Sequence, residues 1–365
     1  MEEKVFFDYA ASSPLCNSFL SNIQELAQKY YNPSSANENS IELRQEIEEC
    51  RAKIAKLINC DPEEIYFTSG ASEANSWAID GFIKAHDRDY YRVISTNIEH
   101  SSILFNPRIN EFIQCDELGL VYPEQFDGYR NCLFCVGLGN NEIGTISPIQ
   151  AISEIIHKRG NYLLVDATQS LGKVEIDVKR MKIDMLSASG HKLGALKGVG
   201  FLYINKDVDI HPIIYGTQEN GSRGGTYNYL GIASLSMAID EIDCNKQLRI
   251  LALRNYLLSQ LSDLDIKVNG DVQNRLPNNL NVCINNIFID NQQLIALLDM
   301  NGFVVSAGSA CSNGLKEPSH VLAAIGLTDD EINRSIRITL GEQNTTAEID
   351  AFVDCLKNII EMNKK

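Results

Sequence analysis

Between residues 64 and 204, short apolar runs alternate with stretches of helical periodicity, and no other feature limits the fold as tightly. The runs are "EIYF", "YYRVIS", "CLFCVGL", "YLLVDA", "DMLSA" and "VGFLYI", with helical patterns between several of them, such as 71–85 and 148–159. Strands that are apolar on consecutive positions bury both faces, and strands separated by helices pair in parallel. The expected class is therefore α/β, with a mostly parallel sheet covered on both sides. Ligands of such sheets bind where the carboxyl ends of the strands give way to polar loops. The stretch 41–58 adds a helix with Leu43, Ile47, Cys50, Ile54, Leu57 and Ile58 on one stripe.

From about residue 244 the pattern changes. A long helix near 245–263 leads into shorter strands, "NNLNVCI" and "SIRITL". The last helix opens on a capping box, Thr345 and Glu348, and carries Ile349, Phe352, Val353, Leu356 and Ile360 on one face. This predicts a large domain over 15–243 and a smaller one over 244–365, to which residues 1–14 cross back. The 365 residues fit two domains on length alone.

Charge and cysteine content exclude several functions. The formal net charge of −16 repels phosphate backbones and anionic lipid, so neither direct nucleic-acid nor membrane binding is expected. No run approaches the ~20 apolar residues of a membrane span. The opening MEEKVFFDYA lacks the basic-then-apolar layout of a signal peptide, and a cytoplasmic location is expected. The ten scattered cysteines then read as reduced thiols rather than a disulfide framework. Cys132 and Cys135 form a CxxC, but inside an apolar strand they point to opposite faces and read as core. No metal site is expected, since no zinc or calcium spacing occurs.

Polar residues follow the apolar runs as a set. "SASGHKLG" places His191 and Lys192 at the end of one; "YLLVDATQS" ends another on Asp166; "STNIEHSS" puts His100 after a third; "GLGNNEIG" brings Asn140 and Asn141 after a fourth. "FTSGASEAN" sets small residues between a strand and a helix, an arrangement that leaves helix N-terminal N–H groups for a phosphate, with the Ser72 hydroxyl beside them. Each piece alone has a plain structural reading: helix start, helix cap, core histidine, solvated lysine. Together they match pyridoxal phosphate, which requires a Schiff-base lysine (Lys192), a carboxylate for the pyridinium nitrogen (Asp166), a phosphate cup at 70–72 and a ring-stacking group (His100). Ser189 and His191 would help to hold the phosphate.

A second nucleophile lies in "SAGSACSNG", where Cys311 sits among small residues, unlike Cys283 in the apolar "LNVCIN". An accessible thiol in a pyridoxal-phosphate enzyme points to sulfur chemistry. In "SIRITLG", Ile336, Ile338 and Leu340 face one way and Ser335, Arg337 and Thr339 the other. Arg337 at a strand centre needs an anion, either a substrate carboxylate or an acidic side chain.

The series "FFDYAASSP", "NPSS", "FTSGASEAN", "NNEIGTISPI", "VDATQSLGKV", "SASGHKLGALKGVG", "QENGSRGGT", "SAGSACS" and "SIRITLG" resembles the cysteine desulfurases, class V aminotransferases of pyridoxal-phosphate fold type I, nearly from end to end. The small-residue surroundings of Cys311 are similar to the branch with a long mobile cysteine loop. The resemblance implies a seven-stranded, mostly parallel sheet flanked by helices plus a smaller α+β domain carrying that loop. It implies that Lys192 and His100 move protons, that Gln169 contacts the cofactor's phenolic oxygen, and that Ala71, Ser72, Ser189 and His191 surround its phosphate. Thr226 would join them from a neighbouring subunit of a homodimer. Asn141, near the cofactor, would hold the substrate carboxylate with Arg337. L-cysteine would be converted to L-alanine, with persulfide sulfur on Cys311 passed to an acceptor protein, most plausibly for iron–sulfur cluster assembly. Alternatives within the same chemistry are a selenocysteine lyase or a transaminase-like enzyme, and tRNA thiolation or DNA phosphorothioation as the destination of sulfur. The chain departs from the family pattern at Ser72 (often Thr), at Arg223-Gly224-Gly225-Thr226 (Arg-Ser-Gly-Thr), at Asn37 and Ser40, and at Leu196 (often Pro). Those at 37–40 bear on an entrance or dimer contact.

Overall fold

The computed structural model describes residues 4–87, 91–308 and 318–364. In chain order its elements are β1 (Val5–Phe6), α1 (Asn17–Ala27), α2 (Glu38–Ile58), β2 (Ile65–Thr68), α3 (Ala71–Ala85), β3 (Arg92–Thr96), α4 (Ser101–Leu104) and β4 (Ile109–Ile113). There follow β5 (Cys132–Gly137), α5 (Ile149–His157), β6 (Tyr162–Asp166), β7 (Met185–Ser189), β8 (Gly200–Ile204) and α6 (Tyr229–Asp240). The remainder comprises α7 (Cys244–Gln260), β9 (Ile266–Val268), β10 (Asn279–Ile284), α8 (Asn291–Met300), β11 (Phe303–Val304), α9 (His320–Ala324), α10 (Asp329–Ile332), β12 (Ser335–Thr339) and α11 (Thr346–Met362).

Seven strands form the main sheet in the order β2-β8-β7-β6-β5-β3-β4. All pairs are parallel except those of β8, which runs against both β2 and β7. The core alternates as the pleat requires. Phe134, Val136, Leu163, Val165, Leu186 and Phe201 face a cluster with α1, α2, α5 and α6, while Leu133, Leu164, Met185 and Leu202 face Ala74, Trp77, Ala78 and Phe82 of α3. Cys132 and Cys135 fall into these two opposite clusters and are both buried, so the CxxC is core, as its spacing predicts. The main-sheet strand absent from the sequence reading is β4. It is an edge strand of alternating exposure, "INEFI", and lacks the continuous apolar run by which buried strands are recognised.

A second core gathers Ile250, Leu253 and Leu257 of α7, strands β10 and β12, and Phe352, Val353 and Leu356 of α11. Strands β12-β10-β9 form an antiparallel sheet there. The predicted Thr345/Glu348 capping box is present at the start of α11. The first residues belong to this core. Strand β1 pairs in parallel with β11, and Phe7 is fully buried against Phe303 and Phe352, at centroid distances of 6.5 and 5.3 Å.

Two departures from the family pattern have local explanations. Asn37 is the N-cap of α2, its side chain accepting the Ser40 N–H at 3.0 Å. The Leu196 N–H donates to Ser234 Oγ at 3.0 Å, a bond that a proline could not make. No helix among the described residues is long and apolar enough to cross a membrane.

Truncating Phe7 leaves a cavity between two aromatic rings. Phe7→Ala is expected to destabilise the protein by about 3–5 kcal/mol. Chemical denaturation followed by tryptophan and far-ultraviolet signals checks this, with the exposed Met362→Ala as a control that stays near wild type.

Candidate active site

Strands β3, β5, β6 and β7 are neighbours in the sheet, so Thr96, Gly137, Asp166 and Ser189 end on one edge. By strand parity Asp166, Ser187 and Ser189 share the face of Leu164 and Met185, the face covered by α3. Large apolar residues give way there to a carboxylate and two serines, which opens space between the sheet edge and the start of α3. Close approach of that helix depends on Gly200. A Cβ there would lie 2.5 Å from the Ala188 carbonyl and 2.7 Å from the Gly70 Cα.

A carboxylate on this face must be hydrogen-bonded. Asp166 Oδ2 accepts from Asn75 Nδ2 at 2.9 Å, and Oδ1 accepts the Thr168 N–H at 2.9 Å. The Asn75 amide, fully buried on α3, also donates to Ser102 Oγ at 3.0 Å. Ser102 in turn bonds His100 Nδ1 through its hydroxyl at 2.9 Å and its N–H at 3.2 Å. Two donors on Nδ1 make it an acceptor, so the neutral ring carries its proton on Nε2. Burial lowers the His100 pKa from its ordinary 6.5, with Lys192 and His320 acting the same way and Asp166 opposing them. The imidazole is thus neutral at pH 7. A continuous polar chain runs from Asp166 to His100 through two residues, Asn75 and Ser102, to which the sequence reading assigned no role.

Lys192 ends a short 3-10 turn after β7. Its Nζ donates to the carbonyls of Ala10 and Ala11, at 2.5 and 2.7 Å. Gln169 Nε2 donates to the same Ala10 carbonyl at 3.0 Å. The segment 8–13 therefore threads the site. Besides those carbonyls, Asp8 accepts from Arg337, Ser12 Oγ lies 3.3 Å from His191 Nδ1, and Ser13 bonds the carbonyls of His191 and Lys192. Its motif "DYAASS" lies in the family-like run "FFDYAASSP", but the bonds made by the Ala10 and Ala11 carbonyls leave no side-chain signal. Lys173 is a further unforeseen neighbour. It donates to the Gln169 carbonyl at 2.9 Å and lines one cavity with Lys192, and burial, then Lys192, pushes its pKa down to about 8.

The groups present fit pyridoxal phosphate. Helix α3 begins at Gly70-Ala71-Ser72 with no side chain capping it, and Gly70 has φ +154°. The Ser189 hydroxyl lies 3.5 Å from where a Cβ on Gly70 would stand, so the missing side chain leaves N–H groups and a hydroxyl around one space. Ser72 is exposed on the first turn of that helix. His191 is held neutral at pH 7, its pKa lowered to about 4 by burial and the neighbouring lysines. An uncapped helix N-terminus with a serine suits a phosphate, and a fixed carboxylate suits a pyridinium nitrogen.

Not every predicted residue joins this cluster. Arg337 is 2% exposed and donates Nη2 to Asp8 at 2.9 Å and Nη1 to the Asn141 carbonyl at 2.9 Å. Its anion in this structure is thus an acidic side chain, although among the described residues its buried Nε has no partner. Asn141 enters through its backbone. Thr226 is exposed and forms no hydrogen bond to the other site residues; it follows Arg223, whose guanidinium holds Glu73 at 2.8 Å. Cys311 lies outside the described residues.

Residues 5–352 match the family model of the class-V aminotransferases. The chain is 37% identical to the cysteine desulfurase IscS of Dictyoglomus turgidum, over 99% of this chain and 95% of that protein. Among solved structures, a NifS-like protein superposes with a TM-score of 0.89 at 30% identity, covering 98% of this chain and all of that one. The structure of SspA in complex with cysteine gives a TM-score of 0.82 at 30% identity, covering 93% and 100%.

The Asn75 bridge yields a prediction. Asn75→Ala leaves Asp166 with one bond fewer in a buried setting, and is expected to weaken pyridoxal-phosphate binding about tenfold or more. Asn75→Asp, which places a second carboxylate beside Asp166, should weaken it further. Absorbance titration of the apoprotein with the cofactor measures both.

Proposed function

Because the chain belongs to the cysteine desulfurases of the class-V aminotransferase family, we propose that it removes sulfur from L-cysteine with pyridoxal phosphate as cofactor. The observation that carries the reading is the joining of Asp166, Asn75, Ser102 and His100 in one hydrogen-bonded chain beside Lys192. In this reading Lys192 holds the cofactor covalently, Asp166 pairs with its ring nitrogen, His100 stacks on the ring and Gln169 meets its phenolic oxygen. Ala71, Ser72, Ser189 and His191 hold the phosphate, with Thr226 of a second copy in a homodimer. The cofactor supplies an aldehyde that condenses with amines and a ring that withdraws electrons.

The chain's own residues then divide the work. Lys192 Nζ, which meets the Ala10 and Ala11 carbonyls in this structure, moves a proton at the substrate Cα once the substrate amine has taken its place. The neutral His100 offers its Nε2 proton, its other nitrogen being occupied by Ser102. Arg337 takes the substrate carboxylate through Nε, a donor with no partner among the described residues, together with Asn141. The thiolate of Cys311 attacks the sulfur of cysteine; the C–S bond breaks, and the products are alanine and a persulfide on Cys311. Atoms balance, since cysteine plus one thiol equals alanine plus one persulfide.

The division near residue 244, with residues 1–14 returning to the smaller unit, belongs to the same reading, as does a cytoplasmic location. The nine free cysteines among the described residues accord with a reducing compartment. Sulfur would pass to an acceptor protein, and iron–sulfur cluster assembly is the destination we assign.

Protein loaded with pyridoxal phosphate, given cysteine and a thiol reductant, is expected to release sulfide and alanine in equal amounts. Cys311→Ala should lower sulfide release by about 100-fold or more, as removal of a nucleophile does. Full sulfide production by that variant would overturn the relay.

A further inference from the structure

Glu142 has no part in the roles assigned above, yet it is fully buried next to Asn141. Its Oε2 accepts the Ser319 hydroxyl proton at 2.5 Å. Ser319 Oγ also accepts the Leu322 N–H at 3.1 Å as N-cap of α9, so one hydroxyl ties that helix start to Glu142. On the other side lies Gly308, whose φ of +114° favours glycine and where a Cβ would stand 2.6 Å from the same Oε2. Gly308 and Ser319 flank residues 309–317, which include Cys311.

Neighbouring bonds attach the same two flanks to other parts of the site. Ser306 exchanges both backbone bonds with Arg337, at 2.7 and 3.2 Å. His320 Nε2 lies 2.9 Å from the carbonyl of Glu99, the residue before His100. The Glu142 carbonyl accepts from the amides of Asn279 and Asn281 at 3.3 Å each, which fixes the residue against β10. No cation pairs directly with its carboxyl among the described residues, and Oε1 is buried without a partner. Burial, the dominant effect, raises its pKa. Such a group costs stability without a compensating ion pair, and its contacts lie on both flanks of the cysteine segment.

We infer that Glu142 is a positioning residue whose carboxyl joins both flanks of the Cys311 segment to the strand ends carrying Asn141 and Arg337, and so sets the reach of the thiol to the substrate sulfur. This rests on the assignment of Cys311 as the sulfur acceptor. Displacements of ~1 Å at a reacting pair can cost up to ~100-fold in rate.

The test uses full-length protein loaded with pyridoxal phosphate and separates two readouts. Substrate binding is read from the cysteine-dependent absorbance change of the bound cofactor. Sulfur transfer is read as the single-turnover rate of persulfide formation on Cys311, by mass spectrometry. Glu142→Ala and Ser319→Ala are expected to slow persulfide formation about tenfold or more, with half-saturation for cysteine moving by less than about threefold. Glu142→Gln, which still offers an oxygen to Ser319, should keep most of the wild-type rate, and the double alanine variant should be no slower than the slower single one. An unchanged persulfide rate in both alanine variants, or parallel losses in binding and transfer, would overturn the proposal. If Glu142→Ala fails to fold, Ser319→Ala decides alone. Absence of persulfide on Cys311 in the wild type would instead remove the desulfurase reading on which the proposal rests.

Discussion

The site is organised around a carboxylate placed on the face of a sheet strand and then covered by a helix. Left alone, Asp166 would be costly there, and its stabilisation sets the positions of its neighbours. Asn75 must face it with the amide nitrogen, since a carboxylate accepts only. The second amide hydrogen then turns Ser102 toward His100, and the two Ser102 donors fix which imidazole nitrogen carries the proton. One half-buried carboxylate thus orients a ring two residues away, and the small residues on the same face, Ser187, Ser189 and Gly200, allow α3 to come close enough for this.

Much of this architecture is legible in the sequence because it rests on patterns with a fixed period. The apolar runs at β5, β6 and β7 alternate into two cores as their parity requires, and Thr345 with Glu348 caps α11. The polar residues at the strand ends are legible for the same reason, since Asp166 and His191-Lys192 each interrupt an apolar pattern. What escapes is of another kind. Asn75 lies inside the apolar face of α3, where an asparagine gives no sign of its partner. Lys192 and Gln169 meet the segment 8–13 through the Ala10 and Ala11 carbonyls, a group every residue possesses. Edge strand β4 has the alternating exposure of a surface, and Lys173 reads as a solvated lysine although it is enclosed beside Gln169.

Arg337 shows where sequence reasoning leaves a choice that only contacts decide. Strand alternation places the guanidinium on an inward face and requires an anion, and Asp8 supplies one in this structure. Its buried Nε has no hydrogen-bond partner among the described residues. Asn37 and Ser40, two departures from the family pattern, meet each other as a helix cap. Both cases turn on the same rule, that buried or terminal polar groups find partners, and the partner is often remote in sequence.

The account depends on Lys192 being the amine that carries the cofactor, although a second half-buried amine, Lys173, stands close by. Borohydride reduction of the protein loaded with pyridoxal phosphate, followed by peptide mass spectrometry, tests this most directly. A pyridoxyl group on the peptide containing Lys192 is the predicted result. An adduct on Lys173 instead, or none at all with ample cofactor, would contradict the account.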